Sequence, residues 1–161
     1  PAAMLYFETG DETKAMALAG QLSRRFDPDS IAYSKLIAGE QLLKHGRLRE
    51  AIDRFTDARK TSDTWAGRLE LARAYVEAGL FTEADAELDV LVKRKGEATA
   101  VFLNDEPSYR YFAPVYYYQG RAREGLGRPD AAEAYRNFLS LRGSSHDALA
   151  QDTRRRLASP R

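Results

Sequence analysis

A glycine followed five residues later by an alanine recurs four times along the 161-residue chain, as Gly10 and Ala15, Gly46 and Ala51, Gly79 and Ala84, and Gly127 and Ala132. The glycines stand 36, 33 and 48 residues apart, and self-similarity at such a period is the mark of stacked repeat units. Each copy reads as a helix hairpin. The glycine lets the chain leave one helix in a left-handed conformation, and the small alanine lets the next helix pack close. The long third interval marks an insertion.

The flanks carry one apolar stripe per helix. Before Gly79, Leu71, Ala72, Tyr75 and Ala78 recur at three- and four-residue steps, and after it Ala84, Leu88 and Leu91 do the same. Around Gly46 the stripe runs Leu36, Gly39, Leu42 and Leu43, then Leu48, Ala51, Ile52, Phe55 and Ala58. Turns this short make the paired helices antiparallel neighbours. The chain has 18 Leu and 25 Ala against five Val and three Ile, a preference for residues that lose little side-chain freedom in a helix. The expected class is all-α.

Helices are expected over 12–25, 30–45, 48–61, 64–78, 81–95, 112–126, 129–142 and 146–157, with 1–9 the remnant of a first helix. Asp27-Pro28-Asp29 reads as a stop signal, because the residue before a proline avoids the α region, and Ser30 as the next N-cap. In repeats, 1–29 form a partial first unit, 30–63 and 64–96 two full ones, 97–111 an insertion, 112–142 a fourth unit and 143–161 a capping helix and tail, all in one domain. Arg154, Arg155 and Arg156 give that cap the polar outer face that the end of a stack needs. Within the tyrosine-rich stretch of 101–118, Phe102, Phe112 and Tyr116 are expected to plug the gap between hairpins, with Pro114 starting the next helix. Tyr109, Tyr111, Tyr117 and Tyr118 stay open as ligand contacts, and Trp65 is expected to pack at a helix start.

Counting removes most catalytic classes. Cysteine is absent, which excludes disulfides, thiolate zinc sites, iron–sulfur clusters and a cysteine nucleophile. The two histidines, His45 and His146, read as solvated helix-end residues. There is no His-Glu-x-x-His, no phosphate-cradling glycine loop followed by Lys and Ser or Thr, and no calcium-loop spacing of carboxylates. Gly125-Leu126-Gly127 lacks a preceding strand and reads as a turn, while Glu83 with Glu87 and Asp85 with Asp89 read as a solvated helix face. The expectation is no enzyme, with no catalytic residue, no metal and no cofactor. A net charge of +1 argues against nucleic acid, and the nine Arg against five acids in 119–161 read as a solvated terminal helix. No stretch approaches the roughly 20 apolar residues that span a bilayer, and no basic segment precedes an apolar run at the start, so no membrane partner and a cytoplasmic location are expected.

The order of a small residue, an aromatic, the turn glycine, an alanine, an aromatic and another alanine resembles the tetratricopeptide repeat, a unit of about 34 residues. Gly39, Leu42, Gly46, Ala51, Phe55 and Ala58 fill those places in one copy. Ala72, Tyr75, Gly79, Phe81, Ala84, Leu88 and Leu91 fill them in the next, and Tyr116, Gly120, Gly127 and Ala132 in the last. Gln119 stands where that family has Leu, Arg123 where it has an aromatic, and Tyr135 comes one residue early. The resemblance implies a right-handed superhelical solenoid whose first helices line a concave groove, and a non-enzymatic module binding a peptide or partner helix there. Carried over position by position, it puts Tyr33, Leu36, Glu40 and Leu43, then Ala66, Leu69, Arg73 and Val76, then Tyr117, Arg121 and Glu124 in the groove. An apolar line of Leu36, Leu69 and Tyr117 beside Glu40, Arg73 and Arg121 implies a partner with apolar anchors and a carboxylate. Chaperone-binding members clamp a C-terminal carboxylate with Lys and Asn, where this chain has Leu36, Glu40, Leu69 and Arg73, so a chaperone tail is not the expected ligand. Stretches such as 63–68 and 116–126 also resemble C-terminal repeat regions of multidomain bacterial regulators, which implies a scaffold or sensor segment of a larger bacterial protein. The alternative is a structural spacer or dimerisation segment, a homodimer forming through the truncated first hairpin.

Overall fold

The computed structural model describes residues 2–98, 109–142 and 144–158. Every regular element among them is helical: α1 (Ala2–Glu8), α2 (Glu12–Leu22), α3 (Pro28–Lys44), α4 (Leu48–Thr61), α5 (Trp65–Glu77), α6 (Phe81–Lys93), a 3-10 turn (Lys95–Ala98), α7 (Tyr109–Gly125), α8 (Ala131–Arg142) and α9 (Ala148–Ala158). Most of the expected insertion, including Phe102, lies outside the described residues, as do the side chains of Tyr109 and Tyr111. The chain divides into two compact units, Pro1–Ala78 and Gly79–Arg161.

The repeat glycines do what their spacing implies. Gly10, Gly46, Gly79 and Gly127 have φ of 80°, 72°, 74° and 66°, and among the described residues no other residue has positive φ. At Gly46 the glycine N–H donates to the Leu43 carbonyl and the next N–H, of Arg47, to that of Leu42, at 3.0 and 2.9 Å. Gly127 and Arg128 repeat the pair on Glu124 and Arg123. Both turns thereby use carbonyls that the helix end leaves unpaired, which is the Schellman arrangement.

In the first unit two apolar clusters form. Ala3, Phe7, Ala15, Ala19 and Ile37 join α1, α2 and α3, and Leu36, Ala51, Phe55, Ala58, Leu71 and Ala74 join α3, α4 and α5. Gly39 sets the spacing of α3 and α4: a Cβ there would stand 2.4 Å from Phe55 Cε1, so only hydrogen lets the ring in. Trp65 is buried at the first position of α5, whose Thr64 cap accepts from the Gly67 N–H at 3.1 Å. Two boundaries differ from the expected ones. Helix α2 ends at Leu22, and the cap of α3 is Asp27, not Ser30. Pro28 is the first residue of the next helix; it keeps Asp27 extended, and Asp27 Oδ1 accepts from the Ser30 N–H at 2.8 Å.

The second unit packs Ala113, Tyr117, Tyr135, Phe138 and Ala150 together, with Tyr116 and Tyr118 partly buried against them. Phe112 is buried and meets Tyr116 edge-on at 5.3 Å. Pro114 does not start a helix. It lies inside α7, which begins five residues earlier at Tyr109. The fourth glycine-to-alanine spacing also needs correction. Ala131, not Ala132, is the buried alanine, with Tyr135 and Phe138 following it inward. The turn before α8 closes with an Ala131 N–H to Arg128 carbonyl bond spanning three residues. Such winding turns the chain further per residue than an α-helix, and the inward face arrives one residue early.

Candidate functional site

The first helices of the hairpins hold the sequence-predicted contact residues, and the structure sorts them by burial. On α3 and α5, Tyr33, Leu69 and Arg73 are half-buried, whereas Leu36, Glu40 and Val76 are buried. Leu36 and Val76 are therefore core residues and not surface contacts. Leu36 belongs to the Phe55 cluster, where it packs with Ala51 and Ala58 of α4 and Leu71 and Ala74 of α5.

The charged residues of this face are engaged with one another. Arg73 Nη2 donates to Glu40 Oε2, and Arg73 Nη1 lies 3.2 Å from Glu70 Oε2. Glu40 is only 5% exposed. Burial raises its pKa, and the attraction of Arg73 offsets that only in part. The Glu70 Oε2 atom is sealed from solvent and accepts no hydrogen bond. One guanidinium thus serves two carboxylates, so Arg73 is not the unoccupied cation that a partner carboxylate would need.

In the second unit Tyr117 and Arg121 of α7 act internally. Tyr117 is 4% exposed, and its hydroxyl donates to Asp152 Oδ2 of α9 at 2.9 Å while accepting from Arg121 Nη1 at 3.1 Å. The Arg121 guanidinium also stands over the Tyr117 ring, 6.0 Å from its centre. Tyr117 is thus not the open ligand contact expected of it. Arg156 Nε donates to the same Asp152 oxygen and its Nη1 to Glu124 Oε2, both at 2.6 Å, and Glu124 accepts in turn from the Tyr135 hydroxyl at 2.7 Å. Arg156 is consequently not part of a solvated outer face. It anchors α9 to α7 because its long side chain reaches two carboxylates that are already fixed.

The histidines stay at helix ends, both exposed, with His45 Nε2 3.3 Å from Glu12 Oε1. Among the described residues no group of three or more His, Asp or Glu side chains is arranged to hold a metal. Nor is any described helix long and apolar enough to cross a membrane.

No family model and no curated protein matches the sequence. Solved structures do match it. The TPR domain of Arabidopsis OM64 superposes with a TM-score of 0.61 at 20% identity, over 81% of this chain and 96% of that one. The first TPR domain of human RPAP3 gives 0.61 at 22%, over 79% and 90%. The first TPR of Spaghetti (RPAP3), bound to the HSP90 peptide SRMEEVD, gives 0.60 at 23%, over 80% and 94%. The chain has the tetratricopeptide-repeat fold.

Within that fold, the departures of Gln119 and Arg123 from the TPR pattern answer a second pair on α6. Arg123 Nε donates to Asp85 Oδ1 at 3.1 Å and its Nη2 to Asp89 Oδ1 at 3.2 Å, and Gln119 Nε2 donates to Asp89 Oδ1 at 2.8 Å. Arg128 Nη1 takes the other Asp85 oxygen at 2.5 Å, and Asp130 pairs with both arginines. Asp85 is therefore not part of a solvated face but is buried between two guanidiniums, Asp89 stays at the exposed rim, and the α6–α7 seam of this TPR unit is ionic. A signal was present in the sequence. Two polar residues spaced by four on α7 stand where the pattern wants apolar ones, and two acids spaced by four lie on the preceding helix.

Proposed function

We propose that the chain is a protein-interaction module that takes a peptide or a partner helix on the α3–α5 face of its first unit. The observation that carries this reading is the pair Tyr33 and Leu69, only partly buried on the first helices of successive hairpins, beside the Glu40, Arg73 and Glu70 cluster. Apolar anchor positions next to directional polar groups favour binding of a short segment in one register. The peptide held by the Spaghetti TPR domain supports a peptide as the class of ligand. Its acidic character does not carry over. With one guanidinium, Arg73, shared between the Glu40 and Glu70 carboxylates, a peptide offering an apolar anchor and a Lys or Arg fits this face better than one offering a carboxylate. On the resemblance to repeat regions of multidomain bacterial regulators, the module serves as a non-catalytic segment of a larger cytoplasmic protein.

Peptide display on the immobilised chain, followed by titration of the recovered peptides against Leu69→Asp, tests the reading. Peptides enriched in apolar and basic residues that lose about tenfold or more in affinity, roughly 1.4 kcal/mol, support it. Equal binding to both proteins overturns it. A second reading, self-association through α1, is favoured by Leu5, which is 58% exposed there. Sedimentation velocity distinguishes it, since a dimer lost in Leu5→Glu supports that reading and a monomer at all concentrations removes it.

A further inference from the structure

The run Arg154-Arg155-Arg156 divides in the structure, and the division leaves a site. Arg156 turns inward to Glu124 and Asp152. Arg154 and Arg155 instead line an open concavity with Ser144, His146 and Gln151. Its lining therefore holds two guanidiniums, an imidazole, a hydroxyl and an amide, and no carboxylate.

The wall of this concavity is fixed before any ligand arrives. Arg154 Nη2 donates to the Ser145 carbonyl at 2.9 Å, and Gln151 Nε2 to the His146 carbonyl at 2.7 Å, which ties the 145–146 backbone to α9. The nearest acid along that loop is occupied elsewhere. Asp147 Oδ1 accepts from the Ala150 N–H at 3.0 Å, and its Oδ2 from Ser145 Oγ at 2.6 Å and from Arg142. Arg155 is 78% exposed and pairs with Asp152 Oδ1 at 3.0 Å, a surface contact that an incoming anion displaces at little cost. Asp152 loses nothing essential by it, because Arg156 and Tyr117 hold its other oxygen.

We infer that the Ser144, His146, Gln151, Arg154 and Arg155 concavity is a binding site for an oxyanion, a carboxylate or a phosphate. Guanidinium forks match the two-oxygen geometry of both groups, and charge-assisted bonds to a preset wall lose little to ordering. A site of this kind takes either the acidic side chains of a partner protein or a free phosphate. The inference does not depend on the α3–α5 reading.

The test is an NMR titration of the full chain, following the arginine Nε–Hε and histidine ring signals. Inorganic phosphate, an acetylated triglutamate peptide and sodium chloride are compared at matched ionic strength. Saturable shifts at Arg154, Arg155 and His146 with phosphate alone assign a phosphate ligand, and with the peptide an acidic partner; either outcome supports the site. Arg155→Gln weakens the response several-fold, and Arg154→Gln with Arg155→Gln abolishes it. Shifts no larger than those in chloride, or a response unchanged in Arg155→Gln, would overturn the inference. That single variant decides the matter if the double one loses the helicity of α9, because Arg155 is highly exposed.

Discussion

Each unit brings two helices together by the same device, a glycine facing an aromatic ring. Gly39 meets Phe55 in the first, and Gly120 meets Tyr135 in the second, each with a ring carbon 2.4 Å from where a Cβ would stand. The surroundings of the two rings differ. Phe55 is sealed among Leu36, Ala51, Ala58, Leu71 and Ala74, whereas Tyr135 sends its hydroxyl to Glu124, which Arg156 also holds. Apolar contact is non-directional and fixes packing through shape alone. A chain of charge-assisted bonds fixes which residue faces which. The second unit contains the shortened turn before α8 and the ionic α6–α7 seam, so its register is specified by polar pairing at places where the repeat pattern is irregular.

The largest effect separates the units by what their rings rest on. Phe55→Ala empties a fully buried site and should cost about 3–5 kcal/mol, whereas Tyr135→Phe keeps the ring, loses one hydrogen bond to a carboxylate and should cost about 1.5–3 kcal/mol. Denaturant melts of both variants measure the difference. Equal losses would show that the Tyr135 network is worth as much as the apolar core.

Next in size is a pair of glycine changes of opposite sign. Gly120→Ala drives a methyl into Tyr135, and its overpacking cost of about 1–3 kcal/mol exceeds the roughly 1 kcal/mol gained in helix propensity. Gly20→Ala, with nothing within 4 Å of the new Cβ, should instead stabilise α2 by about 1 kcal/mol. Thermal melts that moved in the same direction would break the assignment of Gly120 to close approach.

Arg123→Leu tests the seam itself. Asp85 keeps Arg128 as a partner, so the loss should fall short of the 3–5 kcal/mol of a fully broken buried pair, at about 1–2 kcal/mol. High salt should weaken the wild-type seam more than the variant's, which keeps only the Arg128 pairs.

What could be read from the sequence was local. The four turn glycines and the hairpin stripes were legible because a left-handed backbone and a helical period are properties of a few consecutive residues. The buried Leu36 and Tyr117 were not, because their fate depends on what a facing helix offers: Phe55 of α4 and Leu71 of α5 enclose Leu36, and Asp152 of α9 claims the Tyr117 hydroxyl. Pro114 is a related case. Proline favours a first helical position because inside a helix it forfeits one backbone hydrogen bond, and nothing within the residues beside it says that α7 starts five residues earlier. The α3–α5 surface lies between these cases, since the repeat register places Glu40 and Arg73 on successive first helices while their pairing, which sets the charge a partner meets, emerges only from packing.

The smallest effect is a response to acid that differs in sign between the units. Burial alone would raise Asp147 and Asp152. The bonds from Arg142, Ser145 and the Ala150 N–H outweigh it at Asp147, those from Arg156 and Tyr117 outweigh it at Asp152, and both sit below the usual carboxylate range. Their contribution to folding is complete above the ordinary Asp value of about 3.9 and is lost as pH falls through the folded values. Glu40 runs the other way, because burial raises its pKa against the pull of Arg73, so its charge burdens the first unit at neutral pH and proton uptake relieves it. Amide exchange followed from pH 7 to pH 3 should therefore show α9 losing protection first, below about pH 4, while α3 keeps or gains protection on the way down. Asp152→Asn should weaken α9 already at neutral pH and flatten its acid response. If α3 frayed before α9, the Asp152 anchor would not be what holds the last helix, and the contrast between an apolar first unit and a polar-specified second one would fail.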